Sequence, residues 1–476
     1  MTFNELLRIV GSKNVGVKID SRQVKTGDAF VAIKGTNCDG HDFTDKAIQN
    51  GAKFIVGEKP FEAKGVEFIS VKNSSEAAAL LAQAERDNPA SKLINLAVTG
   101  TNGKTTVTFL VRCCAHAAGE KCGLIGTVIY DTGTGSSESS LTTPDCLTIA
   151  EAQEQMVEGR AKFMVIEASS HALSQNRLAG INFKAAAFTN LTGDHLDYHK
   201  TEKEYLAAKT VLFEKLSAGA TAVLNKESAQ SEIIAGKTKA KKLWYAIDRP
   251  ADLIAHIESM DITGTTFVLE CTGKKEKITT PLLGRYNISN HLAAAGLCLG
   301  AGLDLKTIAR GLSQLKAVPG RLERIEWGGD FSVLVDFAHT DDALKNVLST
   351  LKPLCKGRLC VVFGCGGNRD RTKRPRMAKV AAELADLIFV TSDNPRKEEP
   401  AAIIGEIVMG FNNPAADNIR VDVDRKKTIE KALRTARKDD IVVIAGKGHE
   451  NYQIIGEQKF EFSDRQVACE YLAKLK

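Results

Sequence analysis

The stretch AVTGTNGKTT, residues 97–106, joins an apolar run to a glycine-rich turn and then to a helical pattern. The apolar run LINLAVTG (93–100) is typical of a buried strand, and VTFLVRCCAHAAG (107–119) is typical of a helix. Backbone N–H groups of such a turn, together with the N-terminus of the following helix, can hold phosphate groups. The sequence therefore predicts a phosphate-binding loop at the carboxyl end of a strand in an α/β domain.

The side chains that follow the glycines suit nucleotide chemistry. Lys104 can reach the β- and γ-phosphates, and the Thr105 hydroxyl can ligate Mg²⁺. In the longer G-x-x-x-x-G-K-[ST] pattern the first glycine would fall at position 98, where this chain has Val98. The alternative is an ordinary glycine-rich turn between a strand and a helix. The loop by itself does not distinguish a kinase, an ATPase, a GTPase or a ligase.

Outward from the loop, apolar runs and helical patterns alternate through most of the chain. Near-continuous apolar strands separated by helices indicate parallel sheets that are covered on both faces. The first 90 residues differ, because they hold short strand-like pieces and few long helical patterns. The strand-like runs elsewhere are FMVIEAS (163–169), AAAFTNL (185–191), ATAVLN (220–225), LCVVFG (359–364), LIFVTS (387–392) and IVVIAG (441–446).

The composition limits the class of protein. The chain has 476 residues, of which 43% are hydrophobic and 26% are charged, and this suits roughly three globular domains rather than a disordered chain. The longest apolar run, residues 292–303, is shorter than the about 18 residues that span a membrane and predicts a buried helix. The net charge of +6 is too small to indicate nucleic-acid binding. Without a signal peptide or a cysteine framework, we expect a cytoplasmic protein.

Two segments mark predicted domain boundaries. ERDNPASK (85–92) is polar, contains a proline and precedes the strand at 93–100, so it predicts a linker. A second boundary is predicted near residues 318–329, where PGR (319–321) and WGGD (327–330) interrupt the chain. We expect domains at residues 1–90, 91–326 and 327–476.

Acidic, histidine and lysine side chains follow the predicted strands. Glu167 ends the run FMVIE, where its carboxylate can hold Mg²⁺ opposite Thr105, unless it is a surface acid. Lys209 lies in the helical run EYLAAKTVLF (204–213), and its alternative is a surface lysine with a buried stem. The segment TNLTGDHLDYH (189–199) favours a site over a solvated loop. Its acidic and histidine side chains are Asp194, His195, Asp197 and His199.

Further motifs form an ordered set along the whole chain. They are DSR (20–22), GTNGKTT (100–106), TTPD (142–145), EASSH (167–171), TNLTGDHLDYH (189–199), AAK (207–209), GRYNISNHLAAAG (284–296), PGRLE (319–323), DFAHTDDAL (336–344), FGCGGNRDRTKRP (363–375), DNPRKEEP (393–400) and AGKGHE (445–450). The set resembles the Mur ligase family, ATP-dependent amide-forming enzymes of peptidoglycan synthesis that use the shorter loop TGTNGKTT. The resemblance implies an α/β fold of three domains: a small N-terminal UDP-binding α/β domain, a central P-loop-type ATPase domain and a C-terminal Rossmann-like domain.

The resemblance implies roles for the nucleotide residues, with Lys104, His195 and Lys209 as catalytic groups. Lys209 matches a lysine that the family carbamylates with CO₂, which turns a cation into an anion able to bind a second Mg²⁺. The residues implied to bind ATP are Gly100, Thr101, Asn102, Gly103, Lys104, Thr105, Thr106, Asn287, His291, Arg321 and Asp336. The residues implied to bind metal are Thr105, Glu167, His195 and the carbamate of Lys209.

The resemblance also implies two further substrates, UDP-MurNAc-L-Ala-D-Glu and meso-2,6-diaminopimelate. Arg396 can pair with the distal carboxylate of diaminopimelate, and Glu450 can accept from its distal ammonium. Lysine lacks that carboxylate and would leave Arg396 without its anionic partner. The residues implied to hold the UDP-linked substrate are Ser21, Thr142, Thr143, Ser169, Gln175 and Arg177. Those implied to hold diaminopimelate are Arg369, Asp393, Asn394, Pro395, Arg396, Gly446 and Glu450.

The implied reaction forms an amide through an acyl phosphate in a monomeric enzyme without nucleic-acid or membrane partners. One alternative is the same ligase acting on L-lysine or another diamino acid such as lanthionine. A second is a folylpolyglutamate-type ligase, against which DSR, TTPD and DNPRKEEP argue. A third is a nucleotide-dependent binding module without catalysis, against which the intact set of catalytic and metal-binding residues argues.

Overall fold

The structure is a computed structural model that describes residues 1–12, 15–35, 38–60, 65–139, 141–192 and 196–475. The chain divides into two compact units. The first holds Met1–Leu191, His199–Ile254 and Asn290–Leu312, and the second holds Thr192–Tyr198, Ala255–Ser289 and Ser313–Lys476. The predicted boundaries at residues 90 and 326 remain predictions.

The N-terminal part of the first unit is a small parallel sheet with helices. Its elements are α1 (Phe3–Ser12), β1 (Val17–Lys18), β2 (Ala29–Val31), α2 (Thr44–Gln49), β3 (Phe54–Gly57), β4 (Glu67–Ser70) and α3 (Ser74–Glu85). The strands pair in the order β1-β2-β3-β4. Helix α3 is longer than the pattern indicated. Its alanine-rich sequence is buried on several faces, so it lacks the one-sided apolar stripe by which a surface helix is recognised.

The predicted linker at 85–92 is a packed turn. Residues Pro89–Lys92 form a 3₁₀ helix, and Pro89 and Ala90 are buried. The side chain of Gln83 accepts the N–H of Ala90 (3.1 Å) and donates to the side chain of Gln153 (2.7 Å). These buried hydrogen bonds join α3 to the next part of the same unit.

The central part of the chain is built around a larger sheet. Its elements are β5 (Ile94–Thr99), α4 (Lys104–Ala117), β6 (Cys122–Ile125), β7 (Ile129–Asp131), β8 (Ser136–Glu138), α5 (Cys146–Glu158), β9 (Phe163–Glu167), α6 (Ser170–Ser174), β10 (Phe183–Phe188), α7 (Leu196–His199), α8 (Glu202–Glu214), β11 (Thr221–Asn225), α9 (Gln230–Lys237) and β12 (Lys241–Ile247). Strands β12, β11, β10, β5, β9 and β6 are neighbours in that order and run parallel. The prediction of buried parallel strands is therefore confirmed here.

The strand order determines which residues surround the glycine-rich loop. Strand β5 lies between β9 and β10, and the registers place Glu167 beside Val98 and Phe188 beside Thr99. The carboxyl ends of these parallel strands therefore meet at one edge of the sheet. Ligands of open α/β sheets bind at such an edge.

The rest of the chain begins with antiparallel strands and continues as a second parallel sheet. Its elements are β13 (Leu253–Asp261), β14 (Gly264–Cys271), β15 (Lys274–Thr280), α10 (Arg285–Gly300), α11 (Leu305–Gln314), β16 (Glu323–Arg324), β17 (Ser332–Asp336), α12 (Asp341–Leu351), β18 (Leu359–Phe363), α13 (Lys373–Leu384), β19 (Leu387–Val390), α14 (Pro400–Val408), β20 (Ile419–Val421), α15 (Arg425–Thr435), β21 (Ile441–Ala445), β22 (Tyr452–Ile455), β23 (Gln458–Glu461) and α16 (Asp464–Leu472).

In the second unit, strands β17, β21, β18, β19 and β20 are parallel neighbours in that order, and β16 pairs antiparallel with β17. The strands β22 and β23 form a separate hairpin. The hairpin was not predicted, because exposed polar residues on both strands hide any apolar alternation. The run at 292–303 lies largely in α10 and is mostly buried, as predicted. Across the described ranges, every helix is too short or too polar to cross a membrane.

Candidate active site

The glycine-rich loop requires its glycines. Gly100 and Gly103 have φ angles of +148° and +93°, in the range that favours glycine. Gly103 is the residue that precedes helix α4, and a Cβ atom there would lie 2.2 Å from Oδ1 of Asn290. The close approach of Asn290, which the sequence did not indicate, therefore explains why this position must be glycine.

Residues after strand β10 hold the loop in shape. The carbonyl of Asn190 accepts the N–H of Thr101 (2.9 Å), and its side-chain oxygen accepts the N–H of Asn102 (3.0 Å). The hydroxyl of Thr189 donates to the carbonyl of Asn102 (2.7 Å). Thr189 and Asn190 begin the motif TNLTGDHLDYH, whose charged and histidine residues are the predicted site residues. Their role depends on β10 lying beside β5.

Lys104 begins helix α4 and remains at the loop. Its Nζ atom donates to the carbonyl oxygens of Gly100 (2.8 Å) and Thr101 (2.8 Å). The ammonium is thus held by backbone oxygens of the loop that is predicted to bind phosphate. A cation at this position can neutralise charge on a bound phosphate.

Glu167 and Thr105 come together as predicted, and Glu167 is buried rather than a surface acid. The Thr105 hydroxyl donates to Oε2 of Glu167 (3.1 Å). Thr127, which the sequence analysis did not identify, donates its N–H to Oε1 (2.8 Å) and its hydroxyl to Oε2 (3.0 Å). A carboxylate beside a hydroxyl at a phosphate loop is a donor set that suits Mg²⁺.

The predicted metal set is only partly described. His195 and Asp194 lie outside the described residues. Within the described ranges, the structure contains no group of three or more His, Cys, Asp and Glu side chains arranged to hold a metal. The fit to Mg²⁺ therefore rests on Thr105 and Glu167.

Lys209 is buried, with 1% of its surface exposed, so it is not a surface lysine. Its Nζ atom donates to the carbonyl oxygen of Gly100 (3.0 Å) and lies 4.2 Å from the ring centroid of Tyr205. The same carbonyl accepts from Lys104. The structure therefore brings Lys209 from helix α8 to the glycine-rich loop, which its sequence pattern could not establish.

Most residues predicted to hold the UDP-linked substrate meet around Thr143. The Thr143 hydroxyl lies 3.0 Å from Oγ of Ser169, and its carbonyl accepts from Nη1 of Arg177 (2.6 Å). The guanidinium of Arg177 also donates to Oε1 of Gln175 through Nε (3.1 Å) and Nη2 (2.7 Å). The hydroxyl of neighbouring Thr142 lies 3.0 Å from that of Thr127, which contacts Glu167. These residues thus adjoin the metal-binding candidates.

Ser21 lies in the N-terminal part of the same unit. It begins a 3₁₀ turn that is capped by Asp20, whose side chain accepts the N–H of Arg22. The carbonyl of Ser21 accepts from the side chain of Asn50 (2.8 Å), and Ser21 itself is buried. The cap explains why an aspartate precedes the turn.

The candidate nucleotide residues of the C-terminal part are held tightly. Asp336 accepts the N–H groups of Leu322 (2.7 Å) and Ala338 (2.7 Å). Burial raises the pKa of Asp336, and the positive charge of Arg321 opposes this. The guanidinium of Arg321 stacks 4.8 Å from the ring centroid of Phe337. Asp336 therefore stabilises the loops that carry Arg321 and Phe337.

The remaining two candidates of the ATP set lie on helix α10. Asn287 belongs to the second unit, and its side chain donates to the carbonyl of Leu283 (2.7 Å). His291 belongs to the first unit and is fully buried.

The segment Asp393–Arg396, named here the acceptor loop, follows strand β19. The side chain of Asn394 donates to Oε2 of Glu450 (2.9 Å). Lys447 is fully buried and donates to the same carboxylate oxygen (2.7 Å) and to Oδ1 of Asn394 (3.1 Å). Lys447 was not predicted, although its position in AGKGHE between Gly446 and Glu450 could have indicated it.

Asp393 carries a buried negative charge beside Gly446. Burial alone would raise the pKa of Asp393, but the positive charges of Lys447 and Arg425 lower it below its ordinary value. Its Oδ2 atom is buried and has no hydrogen-bond partner among the described residues. A Cβ atom added to Gly446 would lie 2.7 Å from this oxygen. Asp393 therefore approaches position 446 too closely for any residue with a Cβ atom.

Arg396 supplies the opposite charge. Burial lowers the pKa of Arg396, and the nearby charge of Arg369 lowers it further. Nη1 of Arg396 donates to the carbonyl of Gly367 (2.9 Å). Two neighbouring guanidinium groups repel each other unless an anion lies with them, so this pair suits a carboxylate ligand.

An ion-pair network supports the two loops that carry these arginines. Arg374 is fully buried and pairs with Glu398 (2.9 Å) and Glu406 (2.9 Å). Glu398 also accepts the N–H of Asn368, which precedes Arg369. The hydrogen bond from Arg374 and that from Asn368 lower the pKa of Glu398 to about 2. The network thus joins the segment 366–374 to the segment after the acceptor loop.

Known protein families match most of the chain. The Mur ligase middle domain matches residues 98–298, and the glutamate ligase domain of Mur ligases matches residues 320–448. A third match, to the catalytic domain of the Mur ligase family, covers residues 14–86. The three matches lie on the N-terminal sheet, the central sheet and the C-terminal sheet, which agrees with the three-domain α/β fold expected from the sequence.

Relatives that match nearly the whole chain indicate the same family. The UDP-N-acetylmuramoyl-L-alanyl-D-glutamate--2,6-diaminopimelate ligase of Clostridium tetani is 42% identical over 465 residues, 96% of this chain and 95% of that protein. A solved structure of an enzyme with the same name is 32% identical, has a TM-score of 0.69 and covers 97% of this chain and 95% of its own. The MurF ligase of Thermotoga maritima in complex with ADP is 18% identical with a TM-score of 0.60, covers 97% of each chain and shares the fold. The chain belongs to the Mur ligase family.

Proposed function

We propose that the protein is an ATP-dependent ligase that joins meso-2,6-diaminopimelate to UDP-N-acetylmuramoyl-L-alanyl-D-glutamate in the synthesis of peptidoglycan precursors. The observation that carries the proposal is the pairing of opposite charges at the acceptor loop. The Oδ2 atom of Asp393, buried and without a hydrogen-bond partner among the described residues, suits an ammonium group, and the guanidiniums of Arg396 and Arg369 suit a carboxylate. Diaminopimelate carries both kinds of group at each end. Relatives that are 42% identical carry the name of this activity.

The reaction needs activation of a carboxylate, because a carboxylate is a poor electrophile. Transfer of the γ-phosphoryl group of ATP to a carboxylate of the terminal D-glutamate gives an acyl phosphate and ADP. The amine of diaminopimelate then attacks the acyl carbon, and inorganic phosphate leaves as the amide forms. The loop residues Gly100–Thr106 hold the phosphates, and Lys104 neutralises the charge that develops on them.

Mg²⁺ is proposed to bind the oxygen donors of Thr105 and Glu167, with His195 as a further ligand. Two Mg²⁺ ions are proposed in all. When bound, the metal supplies positive charge to the phosphates of ATP. The described residues that support this are a buried carboxylate and a hydroxyl 3.1 Å apart at the loop. Thr127 orients the carboxylate through its N–H and hydroxyl groups.

Lys209 is proposed to carry a carbamate. Its neutral amine adds to CO₂ and loses a proton, which replaces a buried cation by an anion with two oxygen donors. Burial of the side chain and its contact with the carbonyl of Gly100 support this assignment, because Nζ of Lys209 lies beside the glycine-rich loop. With His195, Lys104 and Lys209 form the proposed catalytic set.

The other two substrates are proposed to use the remaining clusters. The UDP-linked dipeptide is held by Ser21 and by the group around Thr143, where Arg177 supplies a cation for an anionic substrate. Diaminopimelate is held by Arg369, the acceptor loop, Gly446 and Glu450. ATP is proposed to contact Asn287, His291, Arg321 and Asp336 beyond its phosphates. The protein is further proposed to be a monomer in the cytoplasm. Light scattering of the purified protein tests the oligomeric state.

A phosphate-release assay tests the function. The purified protein is given ATP, Mg²⁺ and UDP-N-acetylmuramoyl-L-alanyl-D-glutamate, together with meso-diaminopimelate, L-lysine, lanthionine or L-glutamate in turn. We expect phosphate release with diaminopimelate and not with lysine or glutamate. If only lysine or only lanthionine supports turnover, that amino acid and not diaminopimelate is the acceptor. A separate reaction contains a folate substrate and L-glutamate in place of the UDP-linked dipeptide and diaminopimelate, and turnover there would replace the proposed reaction.

A further inference from the structure

The hairpin β22–β23 contacts the acceptor loop at three of its four residues, Asp393, Asn394 and Arg396. The side-chain amide of Gln453 donates to the carbonyl of Asp393 (2.6 Å). The N–H of Ile454 donates to Oδ1 of Asn394 (2.9 Å). The backbone of Arg396 then pairs with the same strand and its turn, since Arg396 N–H donates to the carbonyl of Ile454 (3.0 Å) and Gly456 N–H donates to the carbonyl of Arg396 (2.7 Å).

These contacts act on a residue in an unfavourable backbone conformation. Arg396 has a φ angle of +53°, in the left-handed region that residues with a Cβ atom rarely adopt. Such a conformation persists only where the surrounding structure holds it. The N–H and the carbonyl of Arg396 are both bonded to the hairpin, so the hairpin is the element that holds this conformation.

The hairpin therefore influences both charged subsites of the acceptor loop. Gln453 bonds the backbone of Asp393, whose Oδ2 atom is buried beside Gly446. Ile454 and Gly456 bond the backbone of Arg396, whose guanidinium lies near Arg369. The separation between the anionic and the cationic subsite is thus set through one structural element. This separation therefore affects the affinity for a ligand whose ammonium and carboxylate groups lie a fixed distance apart.

We infer that the hairpin β22–β23 sets the affinity of the site for its amino-acid acceptor, with Gln453 as a positioning residue that holds the acceptor loop. The inference rests on the proposed function, because it concerns the acceptor that the same site binds. Loosening the hairpin weakens the binding of diaminopimelate.

The experiment compares variants of two glutamines on the same hairpin. Gln453→Ala removes the amide that donates to Asp393, and Gln453→Glu keeps the side-chain length but replaces the donor by an acceptor. Gln458→Ala is the matched control, because Gln458 is exposed on strand β23. We expect both Gln453 variants to raise the KM for diaminopimelate by about fivefold to tenfold. The kcat, the KM for ATP and the KM for the UDP-linked dipeptide should stay within about twofold.

A second measurement reports the hairpin contacts without any substrate. In amide hydrogen exchange on the unliganded protein, the N–H groups of Arg396 and Gly456 should exchange about fivefold or more faster in Gln453→Ala than in wild type. They should be unchanged in Gln458→Ala. If wild type fails to use diaminopimelate but the exchange result holds, the proposed acceptor is wrong and the hairpin role stands for the acceptor that is used. Unchanged exchange, or equal acceptor KM values in Gln453→Ala and Gln458→Ala, overturns the inference.

Discussion

The hydroxyl of Thr105 donates a hydrogen bond of 3.1 Å to the carboxylate of Glu167, a residue 62 positions away in the sequence. Thr105 lies in the first turn of α4 and Glu167 ends β9. The contact exists because β9 pairs with β5 in a register that sets Glu167 beside Val98. One strand pairing thus places a carboxylate next to the hydroxyl of the phosphate loop.

Removal of the charge on Glu167 should weaken the response to Mg²⁺. In Glu167→Gln the side chain keeps its size but loses an anionic oxygen donor. We expect the Mg²⁺ concentration that gives half-maximal activity to rise by at least about tenfold. Glu158→Gln, on the exposed face of α5, is the control and should behave as wild type. A Mg²⁺ titration of phosphate release measures both, and an unchanged midpoint in Glu167→Gln would contradict the metal assignment.

Lys209→Ala should lose about 10²–10³-fold in turnover, because it removes the group proposed to carry the carbamate. Added bicarbonate should not restore the activity, since alanine cannot be carbamylated. Lys203→Ala, an exposed lysine on the same helix α8, should keep normal turnover. Near-normal turnover in Lys209→Ala would show that the carbamate assignment is wrong.

Two glycines at opposite ends of helix α4 allow a matched test of the loop. Gly103 and Gly119 both have left-handed φ angles, +93° and +79°. A Cβ atom at Gly103 meets Asn290 at 2.2 Å, whereas one at Gly119 meets nothing within 4 Å. Gly119→Ala should cost only the strain of the conformation, about 1–2 kcal/mol in the free energy of unfolding. Gly103→Ala should also disturb the loop and lower kcat/KM for ATP by about a hundredfold. Urea unfolding and steady-state kinetics separate the two effects.

Arg396→Lys should reduce acceptor recognition, because an ammonium cannot form the planar pair that a guanidinium forms with a carboxylate. We expect kcat/KM for diaminopimelate to fall by about 10–100-fold, with the KM for ATP unchanged. Lys397→Ala changes the adjacent exposed side chain and serves as the control. If the two variants use diaminopimelate equally well, the distal carboxylate does not bind Arg396.

The pH dependence of stability should reveal the role of Glu398. Its pKa in the folded protein is lowered to about 2, whereas an unfolded glutamate titrates near about 4.3. The stabilisation is therefore complete above that unfolded value and is lost as the pH falls through the folded value. In urea unfolding, Glu398→Gln should be less stable than wild type at neutral pH, and the difference should shrink as the pH falls below about 4. The exposed neighbour Glu399, changed to Gln, should show no such dependence; a constant difference for Glu398→Gln would argue against the ion pair with Arg374.

Local sequence patterns were enough to predict the main strands and the loop. The runs before Gly100 and at Glu167 are strands of a parallel sheet, because continuous apolar stretches between helices are stable only when both faces are covered. The antiparallel pairs β14–β15 and β22–β23 were missed, since strands with exposed polar residues carry little of that signal. Helix α3 is longer than its sequence pattern indicates, because burial on several faces removes the helical apolar period.

The sequence by itself determined which reactive groups are present: a glycine-rich loop predicted to bind phosphate, the carboxylate that ends the run FMVIE, and an Asn-Pro-Arg segment in the C-terminal part. Tertiary structure alone decided which groups meet. The local sequence allows Lys209 to be a surface lysine of its helix, yet its side chain is buried and donates a hydrogen bond to the carbonyl of Gly100. A Cβ atom at position 103 would collide with Asn290, and the side chain of Gln453 donates a hydrogen bond to the carbonyl of Asp393. The physical reason is that periodicity reports how one element is buried, whereas contacts between distant residues depend on strand order and on how helices pack onto the sheets.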